Sequence, residues 1–456
     1  MNNWHNYRYH NSKNKQNDKE KTMPSIKIIG GGLAGSEAAL QLADLGWKVT
    51  LYEMRPYQNT EAHHSSKLAE VVCSNSFKSK LQTTASGLLK AELQIMGCKL
   101  LPIAQQHSVP AGNALAVNRN DFASDVTKKI ENHPNIQLVR QEVTKLDDEL
   151  IILASGPLTS MALTAELQKI IGQQQLYFFD AIAPIVETES LDRKIIFNKS
   201  RYQDDNSDYL NCPFSKEEYY EFVEALNNAE KHEAKEFENR FFQNIDFKFY
   251  ENCTPIEELA QRGKDTLRFG VMRPVGLQDP RTGRRPYAVI QLRAENQAKT
   301  AYNLVGCQTM LKYDQQKHVL HKIPGLQNAK FLRYGSIHRN TFLKSPSILS
   351  SNLSLKNKPN IFIAGQLSGL EGYVESIFSG LLVSRILAQN WQKEQLPTTT
   401  VTRNLWEHLL KPTENFQPMN ANFGLLPLLP YLEKNKKLKK QKMAERALAE
   451  LNIALN

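Results

Sequence analysis

The sequence predicts an α/β fold: a Rossmann-like parallel sheet interrupted by an inserted α+β domain. Three observations lead there. Residues 26–39 read as a short apolar strand, a glycine turn and an alanine-rich helix. Lys48-Val-Thr-Leu-Tyr-Glu53 reads as a second strand that ends on a carboxylate. A second strand, glycine turn and helix of small residues returns at 360–388, after a long stretch of different character.

The first turn is spaced Gly30-x-Gly32-x-x-Gly35, with Gly31, Leu33 and Ala34 between. The three glycines of that spacing serve a tight turn, close approach of backbone to a pyrophosphate, and close packing of helix on strand. The phosphates of a dinucleotide would rest on the free N–H groups that open the helix. Glu53 follows Gly32 by 21 residues, where a carboxylate is placed to meet a ribose hydroxyl, and Arg55 stands just beyond it. Glu149 to Pro157 then reads as a buried strand ending in Ala154-Ser-Gly156, small enough not to obstruct a nucleotide at the sheet edge.

Between these pieces, Thr83 to Ile95 and Asp121 to Glu131 have helical periodicity, and Ile136 to Val139 reads as a strand. Val109 to Arg119 reads as a loop passing close to a ligand. His63 and His64 read as surface or capping residues, because nothing nearby offers further metal ligands. From residue 158 the pattern changes to mixed helices and strands, including a charged helix Lys216 to Lys231 and a strand from Tyr287 to Leu292. The return segment carries Gly365, Gln366, Gly372, Tyr373 and Ser376, and its helix start presents a positive end suited to an anionic reduced flavin. The expected organisation is a disordered basic tail at 1–23, a dinucleotide-binding domain in two parts at 24–157 and 351–456, and an inserted substrate or RNA domain at 158–350. The second part ends in a basic helix.

Hydrophobic residues at 41% and charged residues at 23% are those of an ordinary globular enzyme, and no run approaches the roughly 18 apolar residues of a membrane span. The first 22 residues lack the apolar stretch of a signal peptide, and the five cysteines are scattered without metal-like spacing. Both point to a cytoplasmic protein without a metal site. A net charge of +10 favours a polyanionic partner. Arg281, Arg284 and Arg285 are the most telling part of that charge, since they lie between two structured segments.

Several stretches together are more specific than the glycine turn: Ala69-Glu-Val-Val-Cys73-Ser-Asn-Ser, Tyr209-Leu-Asn-Cys-Pro213, Glu251-Asn-Cys253-Thr-Pro-Ile-Glu257, Gly335 to Phe342, Ala364 to Ser376, and Phe416 to Gly424. With them the chain closely resembles the folate- and FAD-dependent tRNA (uracil-5-)-methyltransferases, the TrmFO family. It departs from the family pattern in its long N-terminal tail and at Asn113, Asn118 and Cys307, where Gly, Asp and Phe would be expected. The resemblance implies FAD, methylenetetrahydrofolate as one-carbon donor, NADPH or NADH as reductant, and the T loop of tRNA as substrate. It implies that Cys253 and Cys73 form the catalytic pair, and that His338 and Asn340 belong to the folate site. Carbon 5 of uracil is a poor nucleophile, so a thiolate must add to carbon 6, and a base must later remove the carbon 5 proton. Cys253 is expected as nucleophile and Cys73 as base; the residues alone leave the exchange of those roles open. Methylation of a ribosomal RNA uridine, or modification of the tRNA wobble uridine by a related flavoprotein, are the alternatives. The chain is too short for the C-terminal helical domain of those wobble-uridine relatives.

Overall fold

The computed structural model describes residues 23–60, 62–172, 176–202, 208–232 and 254–456, with backbone alone at 176–180, 338 and 339. The tail expected at 1–23 therefore lies almost wholly outside the described residues. Five parallel strands run in the order Ile361–Ile363, Ile151–Leu153, Ser25–Ile29, Lys48–Glu53 and Ile136–Arg140. Their apolar β-branched residues, Val139 of the edge strand apart, are buried because helices cover the sheet. The order reverses at Ser25–Ile29, and open α/β sheets hold their ligands at that switch point, beyond the carboxyl ends of the strands.

Two helices meet over this point. Leu33–Asp44 buries all of its first eleven residues, Leu33 to Ala43, and packs against Tyr373–Gln389, which arrives from the far end of the chain. Small residues set the closeness of that contact: a Cβ on Gly380 would stand 2.1 Å from the Ala34 carbonyl oxygen. The sheet, these helices and Ala85–Ile95 share one core, which also takes Leu163, Leu167 and Ile171 of the helix Met161–Ile171 and residues such as Phe342 and Ile348. Those side chains fall inside the span expected for the insertion.

A second core is built on a six-stranded antiparallel sheet, in the order Phe197–Asn198, Tyr209–Phe214, Ala288–Ala294, Ala301–Leu304, Ile185–Glu187 and Phe331–Arg333. The helix Lys216–Asn228 lies against it, started by a capping box between Ser215 and Glu218. It stops short of Lys231, which leaves the helix to bridge Leu311. A two-stranded ribbon, Leu176–Ile182 with Ser336–Phe342, connects the two bodies. Val109 to Arg119 is not a plain loop: Ala114–Val117 is the middle strand of a small sheet with Ser76–Ser79 and Ser108–Val109. Asn118 ends that strand by capping the helix Arg119–Glu131, its side chain accepting from the N–H groups of Asn120 and Asp121.

Two buried glutamates fasten chain ends that propensity alone would leave loose. Glu92 accepts from the N–H groups of Val401 and Thr402, at 2.8 Å each, and so caps the helix Val401–Leu410. Glu257 accepts from Met310 N–H at 2.6 Å and from the Thr309 hydroxyl at 3.2 Å. Burial pushes both carboxyls up to about 7, against an ordinary value of 4.5. Between those limits the folded chain keeps protons that the unfolded chain has lost, so stability falls as pH rises from about 4.5 to about 7. Glu92→Gln should flatten this slope, read as melting temperature against pH from 5 to 8; an unchanged slope would show that Glu92 is ionised throughout.

Candidate active site

At the carboxyl ends of the sheet strands lies an open cleft, lined at or just past four of those ends by Ile29, Glu53, Ala154 and Gly365. The glycine turn forms its floor. Gly30 has φ of +104°, and an added Cβ would lie 2.5 Å from the Ala154 carbonyl oxygen. A Cβ on Gly35 would stand 1.9 Å from the Gly30 carbonyl oxygen, so the helix lies flat on the turn only because this residue is glycine. Gly32 differs: a Cβ there meets nothing within 4 Å, since the residue opens onto the cleft. This is a cradle shaped for a phosphate at a helix N-terminus.

Glu53 and Arg55 line the same cleft and are tied to each other. Glu53 Oε2 accepts from Gly31 N–H at 3.0 Å, and its Oε1 accepts from both the backbone N–H and the Nε of Arg55. Burial raises the Glu53 carboxyl, but Arg55 and these N–H donors outweigh it and hold the group below the usual carboxylate range. A carboxylate offers about four acceptor positions, so one remains for a ribose hydroxyl. Arg55 also reaches Glu70 at 3.0 Å. Gly156, Gly365, Gln366, Tyr373 and Ser376 complete the wall; Gly372 lies just outside it with φ of +119°, turning the chain into the helix Tyr373–Gln389.

Sequence reasoning missed part of the lining. His63 faces the cleft, its Nδ1 2.6 Å from the Thr60 hydroxyl; burial and then the Arg55 charge push the imidazole down to about 4, so it is neutral at pH 7. Thr159, Ser160 and Val143 also line the space. No periodicity or spacing marks any of them. Among the described residues, no group of three or more metal-ligating side chains occurs and no helix is long and apolar enough to cross a membrane.

Tyr373 connects the cleft to Cys73 across 300 residues of sequence, its hydroxyl accepting from the N–H groups of Cys73 and Ser74 at 3.0 and 3.1 Å. Cys73 is half-buried, whereas Cys98, Cys212 and Cys307 are buried, each thiol pushed up by burial, Cys307 to about 12. Around Cys73 stand Arg119, Arg293 and Arg333. Arg293 donates to Asn75 and Ser74, both at 2.8 Å, and Arg119 donates to the carbonyls of Val71 and Val72. Cys253 lies outside the described residues, and so does the side chain of His338; Asn340 is described and buried. Of the expected RNA-contacting arginines, Arg281 is held by Asp279 at 2.5 Å and also donates to the Lys194 carbonyl, while Arg284 and Arg285 are exposed.

The sequence profile of Glucose inhibited division protein A, GIDA, matches residues 25–395. A protein of Natranaerobius thermophilus named methylenetetrahydrofolate–tRNA-(uracil-5-)-methyltransferase TrmFO is 50% identical over 430 residues, covering 93% of this chain and 97% of its own. The chain belongs to the TrmFO family. The TrmFO protein of Bacillus subtilis is 49% identical over 428 residues, with the same coverage. In fold, the chain is similar to Aquifex aeolicus GidA, with a TM-score of 0.63 at 14% identity over 95% of this chain and 74% of that one.

Proposed function

We propose that this protein methylates carbon 5 of a uridine in the T loop of tRNA, using methylenetetrahydrofolate and FAD. The observation that carries the reading is the Tyr373 bridge. One cleft-lining residue, at the start of the helix Tyr373–Gln389, accepts from the backbone of a half-buried cysteine, which supports a reading in which a dinucleotide in the cleft and that cysteine serve one site. The open Cβ position at Gly32 fits a pyrophosphate, and the spare acceptor of Glu53 fits a ribose. Gly30, Gly31, Gly32, Leu33, Ala34 and Gly35 would hold the phosphates; Gly365, Gln366, Gly372, Tyr373 and Ser376 would hold the end that reacts.

The chemistry needs two protein groups. A cysteine thiolate adds to carbon 6 of uracil, and the resulting enolate carbon 5 attacks the one-carbon unit of the folate. A base then takes the carbon 5 proton as tetrahydrofolate departs, leaving an exocyclic methylene. Reduced FAD, when bound, would supply the hydride that turns this methylene into a methyl group as the carbon 6–sulfur bond breaks, restoring the 5,6 double bond and freeing the cysteine thiolate, with NADPH or NADH as the source of the electrons. Cys253 is assigned to the nucleophile and Cys73 to the base, with His338 and Asn340 near the folate. The test is transfer of a labelled methylene from methylenetetrahydrofolate to 5-methyluridine in a tRNA transcript, dependent on a reduced nicotinamide. Absence of label, or label placed equally in a ribosomal RNA fragment, would overturn the tRNA assignment.

The same assay tests the arginine loop. Because Arg281 is already committed to Asp279, replacing Arg284 and Arg285 together with Ala should weaken tRNA binding several-fold and make it less sensitive to salt, without changing flavin content. Replacing Arg281 alone should change binding less. Equal effects would place Arg281 on the RNA as well.

A further inference from the structure

The charge around Cys73 does not balance. Arg119, Arg293 and Arg333 all lie within electrostatic reach of its sulfur, and Glu295 is the carboxylate that acts most strongly on all three. Among the described residues, three cations against one anion leave two positive charges in a largely buried setting. A Cys73 thiolate would still leave one. Buried charge without a partner is costly, so this excess is arranged for something that arrives.

The three guanidiniums are not equally occupied. Arg119 pairs with Glu295 at 2.6 Å and donates to two carbonyls. Arg293 is engaged by Asn75 and Ser74, which ties the strand Ala288–Ala294 to the Cys73 loop. Among the described residues Arg333 makes two long hydrogen bonds, 3.3 Å to the Val72 carbonyl and 3.4 Å to the Ala183 carbonyl, and its Nε is buried with no partner. It has no carboxylate partner among the described residues. Burial and then the neighbouring Arg119 push it down to about 10, so it is charged at pH 7 but loosely held. Val72, which accepts from both Arg119 and Arg333, lines the cleft.

We propose that Arg333 is a positioning residue that holds a backbone phosphate of the RNA beside the target uridine. Its two weakly engaged Nη groups offer the paired N–H donors that match a phosphate. The anion must sit close to the reacting base, and this distinguishes the sources. In a nucleotide the phosphate is one ribose away from the uracil. The carboxylates of a folate lie at the opposite end of the molecule from the carbon that is transferred. A phosphate gripped here also helps hold the uridine out of its stack, a state that costs a few kcal/mol to reach.

The inference rests on the proposed RNA substrate, and the test separates the two. Arg333→Met and Arg333→Lys are made in the full-length, flavin-loaded protein, with flavin absorbance and melting temperature as checks on folding. RNA binding is measured over a range of salt concentrations, independently of turnover. Arg333→Met should raise the KM and Kd for a tRNA transcript about ten-fold or more and reduce the log–log salt slope by about one. Its KM for methylenetetrahydrofolate should be unchanged. Arg333→Lys should restore the slope and part of the affinity. Unchanged RNA affinity, a raised folate KM, or a loss confined to kcat would overturn the proposal. If wild-type protein binds the transcript but transfers no methylene, the methyltransferase reading falls, while the affinity comparison still decides the role of Arg333.

Discussion

Gly35→Ala should cost the protein both its flavin and its fold, whereas Gly32→Val should cost it the flavin alone. The two glycines belong to one motif but fail for different reasons. At Gly35 a single methyl group would lie 1.9 Å from the Gly30 carbonyl oxygen, and neither partner is a side chain that could swing away. The helix Leu33–Asp44 would have to lift off the sheet, losing its contact with Tyr373–Gln389 as well. A destabilisation of about 3 kcal/mol or more is expected, at the upper end for overpacking because the obstruction is backbone. At Gly32 the backbone is extended, with φ of −73°, and an added side chain meets only open cleft. Flavin-stripped Gly32→Val should therefore melt within a few degrees of flavin-stripped wild type yet bind no FAD. Full flavin content in Gly32→Val would place the pyrophosphate elsewhere.

The cysteine pair carries an equally large expected effect. Replacing either Cys253 or Cys73 with Ala should reduce methyl transfer by about a thousand-fold or more, the scale seen when a member of a covalent catalytic set is removed. RNA containing 5-fluorouridine separates their roles, because fluorine at carbon 5 cannot leave as a proton and the thiolate adduct persists. Cys253→Ala should form no adduct while keeping its flavin. Cys73→Ala should lose turnover and still form adduct. The reverse pattern would exchange the two assignments, and methylation surviving in the double variant would defeat the thiolate mechanism. The Tyr373 bridge adds a refinement: Tyr373→Phe removes the acceptor for two N–H groups of the Cys73 loop, so turnover should fall with part of the flavin affinity retained.

The parallel sheet was legible because its signals are local. Strand, turn and helix at 25–44 are written in consecutive residues, and a glycine whose Cβ would strike a carbonyl leaves no substitute. Convergence across the chain was not legible. Nothing near Tyr373 announces that it accepts from Cys73, because 300 residues separate them within one core, and nothing near Arg333 announces Val72, because that contact depends on how two separate cores abut. In sequence His63 reads as a surface or capping residue; only its packing beside Arg55 makes it a neutral cleft residue. Helix ends were misjudged where a tertiary partner claimed the chain, as Leu311 claims Lys231. Val109 to Arg119 looked like a loop because its strand is short and its partner carries the cysteine motif.

The placement of Ile361–Ile363 at the edge of the parallel sheet has a consequence during synthesis. Its partner Ile151–Leu153 is translated early, yet the ladder pairs 361 with 151 and 363 with 153. Until the ribosome has made most of the polypeptide, the nascent first half exposes an apolar strand with an unpaired edge, and the helix Leu33–Asp44 lacks the cover of Tyr373–Gln389. Contacts of such long range form late, and an open hydrophobic edge is the usual route to aggregation. Every strand of the antiparallel body, from Ile185–Glu187 to Phe331–Arg333, precedes residue 361 in the chain, so all of them are translated before the strand that completes the parallel sheet.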